Sequence, residues 1–190
     1  LVVFDEPSCV VDLSHESLEI QSLTFLKSSD KFPDHVDVCM QHVNVEENRL
    51  RALEFAQKTH MGSVFFVNSE HRILNKQTLL DLCIADRKLV APLLIRRGTM
   101  FTNFWGSLNN DGYYERSWDY AKIFNHDIIG VWNVPYVNET FLVKKELFGT
   151  MRAAYEQRDH MDRDMRVCKY LRDKGVFMYL DNKHTYGIIV

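Results

Sequence analysis

A short polar turn after an apolar stretch contains the first residues of this sequence that could do chemistry. Residues 64–67 are all apolar, and Asn68, a serine and Glu70 follow them directly. In open α/β sheets, ligands bind outside the carboxyl ends of the strands, and carboxylates are ligands that divalent metals prefer. Asn68 offers only a neutral amide oxygen, whereas Glu70 offers a charged one. We favour an ordinary polar loop; the alternative is a metal site that rests on Glu70.

Two further groups carry candidate chemistry. Asp164 opens a predicted helix, where a carboxylate usually serves the helix dipole; the alternative is a general base or an acid that binds the acceptor. His184 follows the last predicted strand and could complete a metal site, although a lone histidine there is more often an exposed or capping residue. Residues 96–136 are rich in aromatic side chains, which stack on sugars and bases but also fill cores, and we predict that most are structural.

The surrounding pattern predicts the elements that position these residues. Strands are predicted over residues 1–4, 34–43, 64–67 and 88–94, with helices capped by Asn44 and Asn75 between them. This alternation is typical of a right-handed parallel α/β sheet. A helical stretch at 14–26, a short helix at 117–124, a strand at 140–144, helices at 146–157 and 161–174, and a last strand at 176–180 complete the prediction.

Composition narrows the function classes. A net charge of −3 over 190 residues argues against a broad nucleic-acid surface, which needs a basic face. No apolar run approaches the roughly 18 residues of a membrane span. The chain contains 4 cysteines without a Cys-x-x-Cys pattern, and one glycosylation sequon at Asn138. We expect residues 1–190 to form a single domain, a fragment of a larger multidomain protein, because the sequence begins without methionine.

Several motifs follow one another along the chain between residues 87 and 187. They are Arg87-Lys-Leu-Val-Ala-Pro-Leu, Thr102-Asn-Phe-Trp-Gly-Ser-Leu, Asp111-Gly-Tyr-Tyr-Glu-Arg-Ser, Asp119-Tyr, Gly130-Val-Trp-Asn-Val-Pro-Tyr, Asp162-Arg-Asp-Met-Arg-Val-Cys, Arg172-Asp-Lys-Gly-Val-Phe-Met and Asn182-Lys-His-Thr-Tyr-Gly. These segments resemble the procollagen lysyl hydroxylases, strongly over residues 63–187 and loosely before them. The procollagen galactosyltransferases, which share the Asn-Phe-Trp and Gly-Tyr-Tyr elements, are a more distant resemblance.

The resemblance implies a glycosyltransferase-A-like, Rossmann-like fold with a mostly parallel sheet flanked by helices. In the lysyl hydroxylases, the matching segment is a central accessory domain between a glycosyltransferase domain and a hydroxylase domain that uses Fe²⁺ and 2-oxoglutarate. Relatives carry Asp-any-Asp where this chain has Asn68 and Glu70. We therefore expect a degenerate metal site at Glu70 and His184. We also expect a cleft that includes Asn68, Asn103 and Trp105, and Asp164 is the candidate catalytic residue.

Two functional hypotheses follow from the resemblance. The favoured one is a non-catalytic accessory domain that acts in collagen lysine modification, binds no cofactor itself, and contacts neighbouring domains, collagen or procollagen, or a second copy in a homodimer. The alternative is an active glycosyltransferase that uses a nucleotide sugar and Mn²⁺. Both imply the endoplasmic reticulum lumen or the secretory pathway, where Asn138 would be a glycosylation site.

Overall fold

A computed structural model of the chain describes residues 2–5, 38–39, 45–68, 70–158 and 160–190. The predicted helical stretch at 14–26 and the predicted cap at Asn44 lie outside these residues, and so does all but residues 38–39 of the strand predicted at 34–43. The helices are α1 Val45–Lys58, α2 Thr78–Ile84, α3 Tyr120–Phe124, α4 Phe148–Tyr155 and α5 Arg163–Asp173, with a 3₁₀ helix at Lys145–Leu147 before α4. Among the residues described, none of the helices is both long and apolar enough to cross a lipid bilayer.

The strands form one large sheet and three small ones. They are β1 Val2–Asp5, β2 Val38–Cys39, β3 Ser63–Asn68, β4 His71–Ile73, β5 Leu89–Pro92, β6 Leu94–Arg96, β7 Phe104–Trp105, β8 Ser107–Leu108, β9 Tyr114–Glu115, β10 Val131–Val134, β11 Tyr136–Val137, β12 Phe141–Lys144, β13 Met178–Asp181 and β14 Gly187–Ile189. The central sheet has seven described strands in the order β10-β13-β5-β12-β3-β1-β2. A three-stranded sheet, β4-β14-β6, lies beside it, and β11 pairs with β7 and β8 with β9.

Strand directions confirm the predicted α/β class, although two of the strands in the central sheet run antiparallel to their neighbours. Strands β1, β2, β3, β5 and β13 run in one direction, as predicted for a mostly parallel sheet. Strand β12, at the centre, is antiparallel to both of its neighbours, β3 and β5. Strand β10, at one edge, is antiparallel to β13. The carboxyl ends of the parallel strands therefore share one edge of the sheet, and the start of β12 reaches that same edge.

The core has two faces, and β3 shows how the sequence builds both. Because successive side chains of a strand point to opposite faces, Val64 and Phe66 enter the core beneath α1, α4 and α5. Phe65 and Val67 enter the second core, beneath α2 and the three-stranded sheet. Both faces are covered, which explains why the strand has an uninterrupted apolar sequence instead of an alternating one.

Two predicted elements differ in the structure. The apolar run at 88–94 forms two strands, because the chain leaves the central sheet at Leu93, whose amide donates to the Asp181 carbonyl at 2.8 Å, and continues as β6. Helix α2 begins at Thr78 and not at Asn75. The Asn75 side chain instead accepts a hydrogen bond from the Gln77 amide at 2.9 Å. Asn75 thus forms a turn before the helix and is not its cap.

Candidate functional site

The turn after β3 is shaped by the amide of Asn68. Its side-chain oxygen accepts a hydrogen bond from the Glu70 backbone N–H at 2.7 Å. The Asn68 backbone N–H donates to the hydroxyl of Thr140 at 3.1 Å, and the Glu70 carbonyl accepts from the Val190 amide at 2.8 Å. An Asn or Asp side chain that binds the backbone two residues on is a common way to fix a turn. Asn68 uses its oxygen in this way, whereas the Glu70 side chain is exposed.

His71, directly after this turn, is buried beside Thr140 and Glu139. Its Nδ1 lies 2.7 Å from the Thr140 hydroxyl, and its Nε2 lies 3.7 Å from a carboxylate oxygen of Glu139. Burial, together with the charge of Arg49, lowers the pKa of His71 to about 4. Because this pKa lies well below neutrality, the imidazole is uncharged at pH 7. His71 therefore contributes a hydrogen bond to Thr140 but no positive charge.

Asp164 lies at the start of α5, where it contacts two arginine side chains. Asp162 caps this helix by accepting from the Asp164 amide at 3.0 Å. The Asp164 carboxylate accepts from Arg163 at 2.9 Å and lies 3.4 Å from the Arg49 guanidinium. Arg163 also reaches Glu139, at 3.3 Å. The candidate catalytic residue Asp164 is thus buried within an ion-pair cluster.

Arg49 is the innermost member of the cluster. It is fully buried, and it donates to the Tyr155 hydroxyl at 3.0 Å and to the Glu139 carbonyl at 2.9 Å. Its guanidinium lies over the rings of Phe66 and Phe141, at 5.3 and 5.5 Å from their centroids. A positive charge above an aromatic face is stabilised by the ring quadrupole. Packing and hydrogen bonding therefore hold this charge in the core.

We call the set of Arg49, Asn68, His71, Glu139, Thr140, Arg163 and Asp164 the turn network. It links the turn after β3 to the start of α5. The sequence predicts these two places separately, as candidate sites at Glu70 and at Asp164. Its two guanidinium groups face two carboxylates, and its histidine is neutral, so the formal charges within it balance. The pattern of α1 contained a signal for it: Arg49 occupies the same helical stripe as the buried residues Ala52, Leu53 and Ala56.

The two other residues predicted for the cleft serve the fold. Asn103 is fully buried; its amide nitrogen donates to the Pro92 carbonyl at 2.8 Å, and its oxygen accepts from the Leu94 amide at 2.9 Å. It thereby bridges the point where β5 gives way to β6. Trp105 is half-buried, pairs with Tyr136 in a two-stranded sheet and packs against the larger core.

His184 lies apart from Glu70. The pairing of Ile189 with His71, and of Gly187 with Ile73, places Glu70 and His184 beyond opposite ends of the β4–β14 pair. The Nε2 atom of His184 lies 3.9 Å from a carboxylate oxygen of Asp81, and the His184 side chain is 58% exposed. Within the part of the chain that the structure describes, no group of three His, Cys, Asp or Glu side chains is placed to hold a metal ion.

Two of the three sequon residues, Glu139 and Thr140, belong to the turn network. The side-chain oxygen of Asn138 is buried, and the backbone carbonyl of Asn138 accepts a hydrogen bond from the Thr140 amide at 2.6 Å. The Thr140 hydroxyl is itself buried among Asn68 and His71. Glycosylation of Asn138 stays a prediction.

Comparison with known proteins identifies the family. The profile of the "Glycosyltransferase family 25, N-terminal domain" matches residues 12–190. The chain belongs to this family. It is 37% identical to mouse procollagen-lysine,2-oxoglutarate 5-dioxygenase 2 over 153 residues, and the matched region covers 79% of this chain and 21% of that protein. It is 40% identical to the human multifunctional procollagen lysine hydroxylase and glycosyltransferase LH3 over 128 residues, and this match covers 65% of this chain and 17% of that protein.

These relatives confirm the resemblance to procollagen lysyl hydroxylases. A third relative, procollagen-lysine,2-oxoglutarate 5-dioxygenase 1 of Gallus gallus, is 32% identical over 182 residues, which cover 93% of this chain and 24% of that protein. The chain spans about a fifth of the length of the curated relatives that it matches.

Solved structures of low sequence identity confirm the glycosyltransferase-A-like fold. A197 from STIV has a TM-score of 0.57 at 12% identity, over 96% of this chain and 81% of that one. The structure of GalNAc-T7 with UDP, GalNAc and Mn²⁺ has a TM-score of 0.50 at 13% identity, over 98% and 38%. At such identities the likeness concerns the fold alone.

Proposed function

We propose that this family member is a non-catalytic, glycosyltransferase-like accessory domain of a procollagen lysyl hydroxylase-like protein that acts in collagen lysine modification. The relatives support this context, since their names describe enzymes that modify procollagen lysine. Any hydroxylase chemistry with Fe²⁺ and 2-oxoglutarate would belong to a different domain of the whole protein. Neighbouring domains, collagen or procollagen and a second copy are the proposed partners, in the endoplasmic reticulum lumen or secretory pathway.

The balanced turn network is the observation that carries the proposal. A nucleotide sugar brings a negatively charged diphosphate, which needs a metal ion or unpaired cationic groups to bind it. In the turn network, the carboxylates of Asp164 and Glu139 already face Arg49 and Arg163. The Asn68 oxygen is occupied by the Glu70 amide. These groups stabilise one another and leave little capacity for a metal-bound diphosphate.

The alternative is an active, metal-dependent glycosyltransferase, and one observation favours it. Glu70 is exposed at the carboxyl edge of the sheet, and Asp5 at the end of β1 pairs in register with Asn68. Acidic residues at positions 5 and 70 thus flank the same edge. In this alternative, Glu70 would hold Mn²⁺ and Asp164 would lie near the acceptor.

Calorimetric titration with UDP-galactose and UDP-glucose, with and without Mn²⁺, tests the proposal. We expect no binding at millimolar concentrations, because the charged groups of the turn network already pair with one another and leave little capacity for a metal-bound diphosphate. Metal-dependent binding that is lost in Glu70→Ala, and kept in the control variant Glu156→Ala at another exposed glutamate, would overturn the proposal and establish the alternative.

A further inference from the structure

Two grooves lie at the edge of the central sheet opposite the turn network. The first, of about 410 Å³, is lined in part by residues 86–88, which precede β5, and by residues 174–177, which precede β13. The second, of about 440 Å³, is lined in part by residues 133–135 at the end of β10. Strand β10 runs antiparallel to β13, so its end reaches the same edge as the start of β13. We call the two together the amino-edge grooves.

The first groove carries more positive than negative charge. Arg87, Lys88 and Lys174 line it together with one carboxylate, Asp86. Asp86 forms an ion pair with Lys144, whose hydrogen bond and positive charge lower the pKa of the Asp86 carboxyl. Arg87 lies over the Tyr179 ring at 4.7 Å and Lys174 over the Tyr170 ring at 5.5 Å. Within the described residues, Arg87, Lys88 and Lys174 form no ion pair. This patch is basic, although the chain as a whole has a net charge of −3.

Phe177 lies between the two grooves and lines both. It is 66% exposed, and it directly precedes the buried Met178. Large aromatic side chains at interfaces commonly supply the anchoring contacts of a complex. An exposed phenylalanine between two cavities offers such an anchor to a chain that crosses it. The amino-edge grooves therefore combine apolar contact area with positive charges that form no ion pair among the described residues.

From these observations we infer that the amino-edge grooves bind an acidic polypeptide segment that carries an apolar side chain. Acidic side chains would face Arg87, Lys88 and Lys174, and the apolar one would pack against Phe177. A nucleic acid fits less well, because three cations do not make the extended basic face that phosphate backbones require. The inference goes beyond the proposed function and does not depend on it, since the grooves and the turn network lie at opposite edges of the sheet.

Fluorescence anisotropy with the protein and a labelled synthetic peptide, Asp-Glu-Phe-Glu-Asp-Leu-Asp-Glu, tests the inference. We expect saturable binding that weakens as salt rises, because salt screens exposed charges. The double variant Arg87→Glu with Lys88→Glu should bind at least about tenfold more weakly, since two attractions become repulsions. Phe177→Ala should bind about fivefold to tenfold more weakly through the loss of its apolar contact.

Matched controls separate this site from unspecific attraction. Lys76→Glu with Arg97→Glu reverses the same number of exposed charges outside both grooves, and it should bind like the unaltered protein. The same peptide with Asn and Gln in place of Asp and Glu should bind at least about tenfold more weakly. Circular dichroism of each variant establishes that it is folded.

Several results would overturn the inference. They are the absence of saturable binding up to millimolar peptide, equal binding of the neutral peptide, equal weakening by the control pair, and displacement of the peptide by a single-stranded oligonucleotide at lower concentration. None of them concerns nucleotide-sugar binding, so this proposal and the proposed function stand or fall separately.

Discussion

Replacing Arg49 with methionine tests whether the turn network stabilises the fold. Methionine keeps much of the side-chain length but removes the charge and the hydrogen bonds to Tyr155 and Glu139. Removing one partner of a buried ion pair costs about 3–5 kcal/mol. Because Asp164 keeps Arg163 as a partner at 2.9 Å, we expect the low end of this range, about 3 kcal/mol. With a typical urea dependence of about 2 kcal/mol per molar, the unfolding midpoint should fall by about 1.5 M.

Urea unfolding followed by tryptophan fluorescence measures this loss, and α1 supplies its own control. Arg51 lies two residues along the same helix, is exposed and pairs with Glu47 at the i, i+4 spacing. Arg51→Met should therefore cost no more than about 0.5 kcal/mol. A double-mutant cycle of Arg49→Met with Asp164→Asn should show a coupling energy of about 1 kcal/mol or more. If Arg49→Met and Arg51→Met shift the midpoint equally, Arg49 does not stabilise the core through the network.

Two further predictions concern acid stability and strand packing. The pKa of His71 is about 4 in the folded state against an ordinary 6.5, so its contribution to the free energy of unfolding should be present in full above about pH 6.5 and fall by about 3 kcal/mol as the pH drops towards 4. The urea midpoint of His71→Asn should fall less steeply with acid than that of the unaltered protein, whereas the midpoint of the exposed His160→Asn should fall as steeply. Identical slopes for all three proteins would contradict the lowered pKa of His71. A Cβ atom at Gly187 would lie 2.2 Å from the Arg72 carbonyl oxygen, so Gly187→Ala should lower stability by at least about 1–3 kcal/mol in a thermal melt, and an unchanged midpoint would contradict the close approach of β14 to β4.

Local patterns predicted strand β3 and the turn after it. The apolar run of β3 is explained by cores on both faces of the sheet, and the turn at Asn68 is built by a side chain that binds its own backbone two residues on. Both features depend on neighbours in the sequence. The break at Leu93 does not, because the apolar run continues through it and the residue that bridges it, Asn103, lies further along the chain. A single strand was therefore the natural but wrong prediction.

The turn network was beyond local patterns for the same reason. Asn68 and Asp164 were each singled out, but their connection runs through side chains that meet only after folding, such as Arg49 with Asp164 and His71 with Thr140. The position of Arg49 on the apolar stripe of α1 predicts a buried charge with a partner, and it does not identify that partner. The separation of Glu70 from His184 likewise follows from the register of β14 against β4, which the sequence pattern does not fix.

The central position of β12 has a consequence for synthesis of the chain. Leu142 pairs with Phe65 of β3 on one side and with Val90 of β5 on the other, so β12 joins two strands that were made long before it. Until the ribosome has released β12, one edge of β3 lacks its native partner, and β5 lacks both of its partners because β13 is made later still. Unpaired edges of apolar strands attract other chains, and late, non-local pairing slows folding. The order of the strands thus leaves apolar strand edges open to other chains until late in the synthesis of this stretch.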